Sequence, residues 1–465
     1  MRRESRLSHA SSLVPYAVAL LLFLGADIAS AQTDGERLVA HALTSKQSYE
    51  TLSYLTDNIG PRLSGSRGAE LAVAWTTRQF RRWGIDVRNE TIMVPHWVRG
   101  AERARLVSHN DQKIIVTALG GTVATPPEGI TADVIEVRSF DELKTLGRSR
   151  VEGKIVFFHA AMNMDQVRAG RAFDAYSGAV EFRSKGADRA AEYGAVASII
   201  RSVASASLRT PHTGAMKYEG TRKIPAAAMT AEDAMLVSRL LQKGDRVRMN
   251  LVLTPRSLPE VPSANVVAEI RGTERPDEIV LIGGHLDSWD LGTGAIDNGS
   301  GIAMVMETMR LIKELKLKPK RTIRAVLFMN EENGLRGGKG YAAAHAKENH
   351  VAAIETDAGV GAPLRWHSTL KDEALNRVVA RAKPLLDRIA PMTFETAEET
   401  GADTSELVKL GVPGFGFVPD PRFYFDYHHA PSDTLDKVNP DDLARDTAAV
   451  AAMTWALADS TEPVK

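Results

Sequence analysis

The side chains able to do chemistry stand at the ends of short apolar runs. Residues 279–282 lead into Gly283-Gly284-His285-Leu286-Asp287, and twelve residues after His285 comes Asp297-Asn298-Gly299-Ser300-Gly301. Residues 323–329 end in Asn330-Glu331-Glu332-Asn333-Gly334. Another run ends in Glu355-Thr356-Asp357-Ala358-Gly359, and Tyr427-His428-His429-Ala430-Pro431-Ser432-Asp433-Thr434 lies near the C-terminus. Adjacent carboxylates such as Glu331 and Glu332 repel each other and add nothing to packing. They make sense if one holds a metal and the other handles a proton. Asp287 can accept the second N–H of the His285 imidazole and fix its tautomer. The candidate ligands are His285, Asp297, Glu332, Asp357 and His429. Their number and type suit two zinc ions, each with one His and one carboxylate, sharing a bridging Asp. The chain has no cysteine, so thiolate metal sites, cysteine nucleophiles and disulfides are excluded.

The elements that must position these groups follow from patterning. From residue 258 onward, strand-like runs at 266–270, 279–282, 322–329, 352–356 and 414–418 alternate with helical stretches. One helix covers about 301–315, where Ile302, Val305, Met306, Met309 and Ile312 recur at helical spacing, with Ser300 as its cap. This alternation predicts an α/β fold, a mostly parallel sheet flanked by helices, with functional groups just beyond the carboxyl ends of its strands. Earlier, a helix is expected over about 68–83, stopped by Gly84. The character then turns to short β-like runs at 104–107, 114–116, 132–137 and 155–158, with helices near 187–193 and 232–242. Pro255, Pro259 and Pro262 read as a joint. The economical division is a first catalytic segment over 32–100, a β-rich insert over 101–257 and a second catalytic segment over 258–465. Gly338-Lys339-Gly340 lacks the spacing of a phosphate loop and reads as a turn into the next helix.

Composition bounds the rest. The 465 residues carry 58 basic and 58 acidic side chains and are 44% hydrophobic, as in ordinary globular proteins. Zero net charge gives no reason to expect nucleic acid as a partner. Residues 1–31 read as a signal peptide: Arg2, Arg3 and Arg6, an apolar stretch over about 13–24, then Ala29-Ser30-Ala31. An exported protein, periplasmic or secreted after cleavage and free of the membrane, is the expectation.

Together these motifs resemble the co-catalytic dizinc exopeptidases, metallopeptidase family twenty-eight. The resemblance rests on the stretch 283–301, on Asn330–Gly334, on 355–359 and on 428–434, with Gly60-Pro61-Arg62-Leu63-Ser64-Gly65-Ser66 similar to the family's N-terminal stretch. It covers nearly the whole mature chain and implies the zinc-dependent exopeptidase fold. By that resemblance Asp297 bridges, His285 and Asp357 complete one zinc site, and Glu332 and His429 the other. Glu331 becomes the general base and Asp287 the partner of His285. His429 is preferred to His428 because it stands four residues before Asp433. Residues 153–158, 185–195 and 224–244 are similar to a protease-associated domain, which family members carry as an insertion. Two departures are Asn298, where relatives carry an acid, and the loop Gly334–Gly338, which bears on the substrate cleft.

The resemblance implies hydrolysis of dipeptides or short peptides, as a carboxypeptidase or dipeptidase. An aminopeptidase with the same metals and a non-catalytic binding protein on this scaffold stay open, and a homodimer is among the assemblies it allows. The absence of H-E-x-x-H and of G-x-S-x-G argues against a single-zinc thermolysin-like site and a serine hydrolase. Ser300 and His367 have no arrangement suited to a nucleophile. Asp403 and Tyr424 are positional candidates for the cleft wall.

Overall fold

The computed structural model describes residues 32–465. The signal segment expected over 1–31 lies outside them. The catalytic sheet has eight strands: β1 (Asp86–Val98), β2 (Arg256–Ile270), β3 (Arg275–His285), β4 (Arg321–Phe328), β5 (Asn349–Glu355), β6 (Pro363–Ser368), β7 (Thr393–Thr396) and β8 (Gly414–Pro419). Their spatial order is β1-β2-β4-β3-β5-β8-β6-β7. The central strands β4, β3, β5 and β8 are parallel. Strands β1 and β2 add antiparallel on one side, and β6 is antiparallel to β8 on the other.

Side chains alternate across the central strands, as the two-residue period requires. Val280, Ile282, Ile323, Ala325, Leu327, Ala352 and Ile354 enter the main core, with Ser300–Glu314 and Pro440–Ala458. Leu281, Val326, Phe328 and Ala353 face the other way, onto Tyr341, Ala342 and Leu407. Helices therefore cover both faces, and the strands read as continuous apolar runs. The predicted residues Ile302, Val305, Met306, Met309 and Ile312 are all buried. Ser300 is the first helical residue and not a cap; its hydroxyl donates to the Ile296 carbonyl at 3.0 Å.

The proline-rich joint is a strand. Pro259 and Pro262 lie within β2, paired with β1. Strand β4 pairs with β2 only at Val266–Ile270, so the proline-bearing half of β2 has a free edge where no N–H is needed. Gly338 and Gly340 lie inside the helix Arg336–His345, not in a turn before it. Strands β6 and β7 and the long helix Pro440–Ala458 were not anticipated. That helix is started by Asn439, whose side chain accepts from the N–H groups of Asp441 and Asp442, with Pro440 at its first position.

A second eight-stranded sheet is built wholly from chain between β1 and β2, ordered Gln112–Ile114, Glu102–Leu106, Arg248–Leu253, Ile130–Val137, Ile155–Phe158, Ala197–Arg201, Ala226–Met229 and Val116–Ala118. The chain leaves the catalytic sheet along β1 and returns along β2, and these two strands stay paired through Trp97 and Ser257. Trp289, from the loop after β3, packs into the second sheet's own core with Leu63 and Trp97. A Cβ at Gly120 would lie 1.9 Å from the Trp289 ring, so only glycine admits this contact. Arg99 closes the junction, holding Asp290 through two hydrogen bonds of 2.7 and 2.8 Å and reaching Glu102 as well.

Candidate metal centre

Parallel pairing brings three strand ends together. His285 ends β3 opposite Phe328 of β4, and Gly283 pairs with Glu355 of β5. The segments carrying Glu331, Glu332 and Asp357 therefore leave the sheet beside His285, at its carboxyl edge. Asp297 arrives from the turn before the helix Ser300–Glu314, where the Asp297–Asn298 peptide is cis. His429 comes from the loop before Pro440–Ala458.

Asp297 lies between two imidazoles. Its Oδ1 is 3.0 Å from His285 Nε2 and its Oδ2 is 3.1 Å from His429 Nε2. His285 Nε2 is also 3.2 Å from Asp357 Oδ1, and His429 Nε2 is 3.0 Å from Glu332 Oε2. All five proposed ligands thus converge. His428 stacks on His429 with ring centroids 3.5 Å apart, and its Nε2 stands off at 3.6 Å from Asp297.

The other ring nitrogens decide what these contacts mean. His285 Nδ1 lies 2.9 Å from the Asp287 carbonyl, and His429 Nδ1 lies 3.3 Å from the Thr213 carbonyl. A carbonyl only accepts, so the tautomer with the proton on Nδ1 satisfies each of these two contacts and leaves Nε2 with a lone pair. Each lone pair faces two carboxylate oxygens. A cation among the three atoms would satisfy this arrangement, and nitrogen with carboxylate oxygen is a donor set that zinc accepts. The residues present fit a metal at both positions.

One expectation is corrected. The group fixing His285 is the main-chain carbonyl of Asp287, whose carboxylate lies 3.9 Å from Nδ1. The Asp287 carboxylate instead accepts from the backbone N–H of Asn330 at 2.8 Å and of Glu331 at 3.1 Å, fixing the loop of acids. Charge and burial act on this loop together. Desolvation, reinforced by Asp357, Asp297 and Asp287 against His285, pushes the Glu331 carboxyl up to about 8. Burial likewise raises Asp433 to about 7, and Asp433 accepts from the N–H groups of Ile296 at 2.7 Å and Asp297 at 3.2 Å.

Sequence reasoning missed what holds the loops. Arg62 is wholly buried, and its guanidinium donates to the carbonyls of Gly60, Leu286, Thr293 and Gly294. Ser64 donates to Asn333 Oδ1 and accepts from the Asn330 amide, both at 2.7 Å. The stretch Gly60–Ser66 therefore splints both ligand-bearing loops, and its motif was the available signal. A cavity of about 340 Å³ opens over Asp297, Glu331, Glu332 and Asp357. Its walls include Phe173, Tyr176, Arg183, Leu335 and Tyr424. The loop Gly334–Gly338 thus reaches the cleft, as does Tyr424. Asp403 does not line the cavity: it is buried, with its N–H donating to Glu355 at 3.1 Å. His367 lies on β6, 3.7 Å from Glu395.

Fold and site together define a metallopeptidase, and the chain belongs to peptidase family M28, whose family model matches residues 265–454. Carboxypeptidase Q of Bos taurus is 38% identical over 429 residues, which span 91% of this chain and 88% of that protein. The crystal structure of a peptidase M28 precursor from Shewanella amazonensis SB2B is 39% identical, with a TM-score of 0.88 over 93% of this chain and 97% of its own. The zinc aminopeptidase BSAP of Bacillus subtilis shares the fold, at 18% identity and a TM-score of 0.65 over 90% of this chain and 96% of its own. Among the described residues no helix is long and apolar enough to cross a membrane.

Proposed function

We propose that this metallo-exopeptidase holds two zinc ions and cleaves dipeptides or short peptides as a carboxypeptidase or dipeptidase. The observation carrying this reading is the pair of imidazole Nε2 atoms, each facing two carboxylate oxygens, with Asp297 common to both. In this reading His285, Asp357 and Asp297 hold one ion, and His429, Glu332 and Asp297 the other. Bound there, the pair of ions would supply Lewis acidity and make water acidic enough to serve as a nucleophile near neutral pH.

The remaining work falls to the chain. Glu331 lines the cavity and is not needed as a ligand, so its carboxylate is free to exchange a proton with water there. It takes the proton of the attacking water and passes it to the departing amine. The Asp287 carboxylate holds the Glu331 main chain, and the loop carbonyls bound by Arg62 keep the segment between His285 and Asp297 in place. Likeness to the carboxypeptidase Q proteins over most of both chains supports the polarity. We further assign residues 101–257 as a protease-associated-like insert and residues 1–31 as the signal for export.

A panel of dipeptides, free or blocked at either end, tests this at measured zinc content. Hydrolysis should require a free carboxylate, tolerate a blocked amine and reach its maximum near two zinc ions per chain. A requirement for the free amine would make the enzyme an aminopeptidase. Absence of any hydrolysis at full zinc content would leave a binding protein.

A further inference from the structure

Leu335 is the one apolar residue of the cavity wall that belongs to no hydrophobic core among the described residues. Phe173, Tyr176, Tyr424 and Phe425 all pack into the main core, and Ala215 packs against that of the second sheet. Leu335 is half-buried and stands immediately before the helix Arg336–His345. Its backbone is left-handed, with φ of 56° and ψ of 29°. The Cβ of an L-residue disfavours that conformation, which glycine adopts freely. An aliphatic side chain kept on a strained backbone, with no core to fill, points to a task in the cavity it lines.

The loop that presents Leu335 is fixed. The Leu335 N–H donates to the Asn330 carbonyl at 2.6 Å, and the Arg336 N–H donates to Asn330 Oδ1 at 3.3 Å. The Gly337 N–H donates to the Met329 carbonyl at 3.0 Å. The Arg336 side chain is drawn off to Glu260 of β2, at 2.6 Å, and lines no part of the cavity. Leu335 is thus a preformed apolar surface. Its place on the loop decides which part of a substrate it meets. The Gly334 N–H lies 3.5 Å from the Glu331 carbonyl, so one tight turn separates the base from Leu335. Glu331 passes its proton to the departing amine, and in a dipeptide that nitrogen belongs to the C-terminal residue. The departing residue therefore lies on the side of the cavity walled by this loop.

We infer that Leu335 packs against the side chain of the C-terminal residue and makes the enzyme select dipeptides that end in an apolar residue. Contact between the two side chains removes apolar surface of both from water, a gain that glycine at the end of the substrate cannot offer. The inference rests on the exopeptidase reading above, with Glu331 as the base.

The experiment measures kcat/KM on Ala-Leu, Ala-Gly, Leu-Ala and Gly-Ala for the wild type, Leu335→Gly and Leu335→Asn, with zinc content and melting temperature alongside. The wild type should favour Ala-Leu over Ala-Gly by about ten- to a hundredfold. Glycine and asparagine both accept a left-handed backbone, so neither variant should lose zinc or melt earlier. In both variants the ratio of Ala-Leu to Ala-Gly should fall about tenfold, while the ratio of Leu-Ala to Gly-Ala holds. A preference for Ala-Leu that survives both substitutions overturns the inference. So does an equal fall on every substrate, which would make Leu335 a support of the loop. A loss of selectivity confined to Leu-Ala and Gly-Ala overturns it too, by seating the N-terminal residue at Leu335. In these three cases the exopeptidase reading stands. If the zinc-replete wild type cleaves none of the dipeptides, that reading fails and the inference falls with it.

Discussion

Glu331 and Glu332 are neighbours in sequence with different tasks. Glu332 points one carboxylate oxygen at His429 and accepts from the Trp289 N–H, at 3.1 Å, with the other, so it is fixed at both ends. Glu331 is anchored through its main chain, and its carboxyl faces the cavity. Glu331→Gln keeps the size of the side chain and removes the base. It should retain zinc at wild-type content while kcat falls by about two to four orders of magnitude. Metal analysis with single-turnover kinetics checks this, and a metal-replete variant with near-normal kcat would refute the assignment. Among the candidate ligands, His285, Glu332 and Asp357 stand out in the sequence because each follows an apolar run whose end parallel pairing brings to one edge, whereas Asp297 and His429 come from a turn and a loop. The role of Arg62 was not legible, since the carbonyls of Leu286, Thr293 and Gly294 that it holds lie far along the chain. Nor could the sequence distinguish the Asp287 carboxylate from its carbonyl, because both lie within reach of the same imidazole.

At the scale of elements, the site depends on one short turn before the helix Arg67–Arg82. Arg62 replaces water for four carbonyls that have left the sheet, at distances of 2.6 to 3.1 Å. Burial brings its pKa down to about 10, against the pull of Asp433 and Asp287, so it stays charged at neutral pH. Arg62→Met removes every donor and leaves buried carbonyls and acids uncompensated. A loss of about 3–5 kcal/mol is expected, together with weaker zinc binding, read by denaturant titration and by competition with a chelator. Unchanged zinc affinity in a destabilised variant would show that the splint supports the fold but not the centre. The central strands were foreseeable because their apolar runs are continuous. The first half of β2 was read as a joint because proline normally excludes a strand, and only the free edge opposite β1, where β4 does not reach, makes it tolerable there. Strands β6 and β7 are short and partly exposed, so they carry little apolar signal.

At the scale of the molecule, stability comes without disulfides, from two sheets and the cores between their helices. One buried chain of hydrogen bonds makes that stability sensitive to acid. Arg324 donates to the Tyr341 hydroxyl at 3.1 Å, and Tyr341 donates to His350 Nε2 at 2.9 Å. Burial, aided by Arg324, lowers His350 to about 4. The unfolded chain, with an ordinary histidine near 6.5, therefore binds a proton that the folded chain refuses. Stability should fall as pH drops from about 6.5 to about 4, by up to about 3 kcal/mol from this residue. His350→Gln keeps an acceptor for Tyr341 and should flatten that limb of the stability profile. An unchanged slope would place the acid sensitivity elsewhere.

Loops from the two sheets also meet at His429. Thr213 donates its N–H to the His429 carbonyl at 3.0 Å while its own carbonyl lies 3.3 Å from the ring nitrogen, and His212 Nδ1 contacts the His428 carbonyl at 2.6 Å. His429 is held in a left-handed conformation, with φ of 60°, at this clasp. The second sheet is therefore no interchangeable cassette. A graft that brought in a relative's version with a different loop at 212–214 would alter the support of the His429 ring along with the cleft wall.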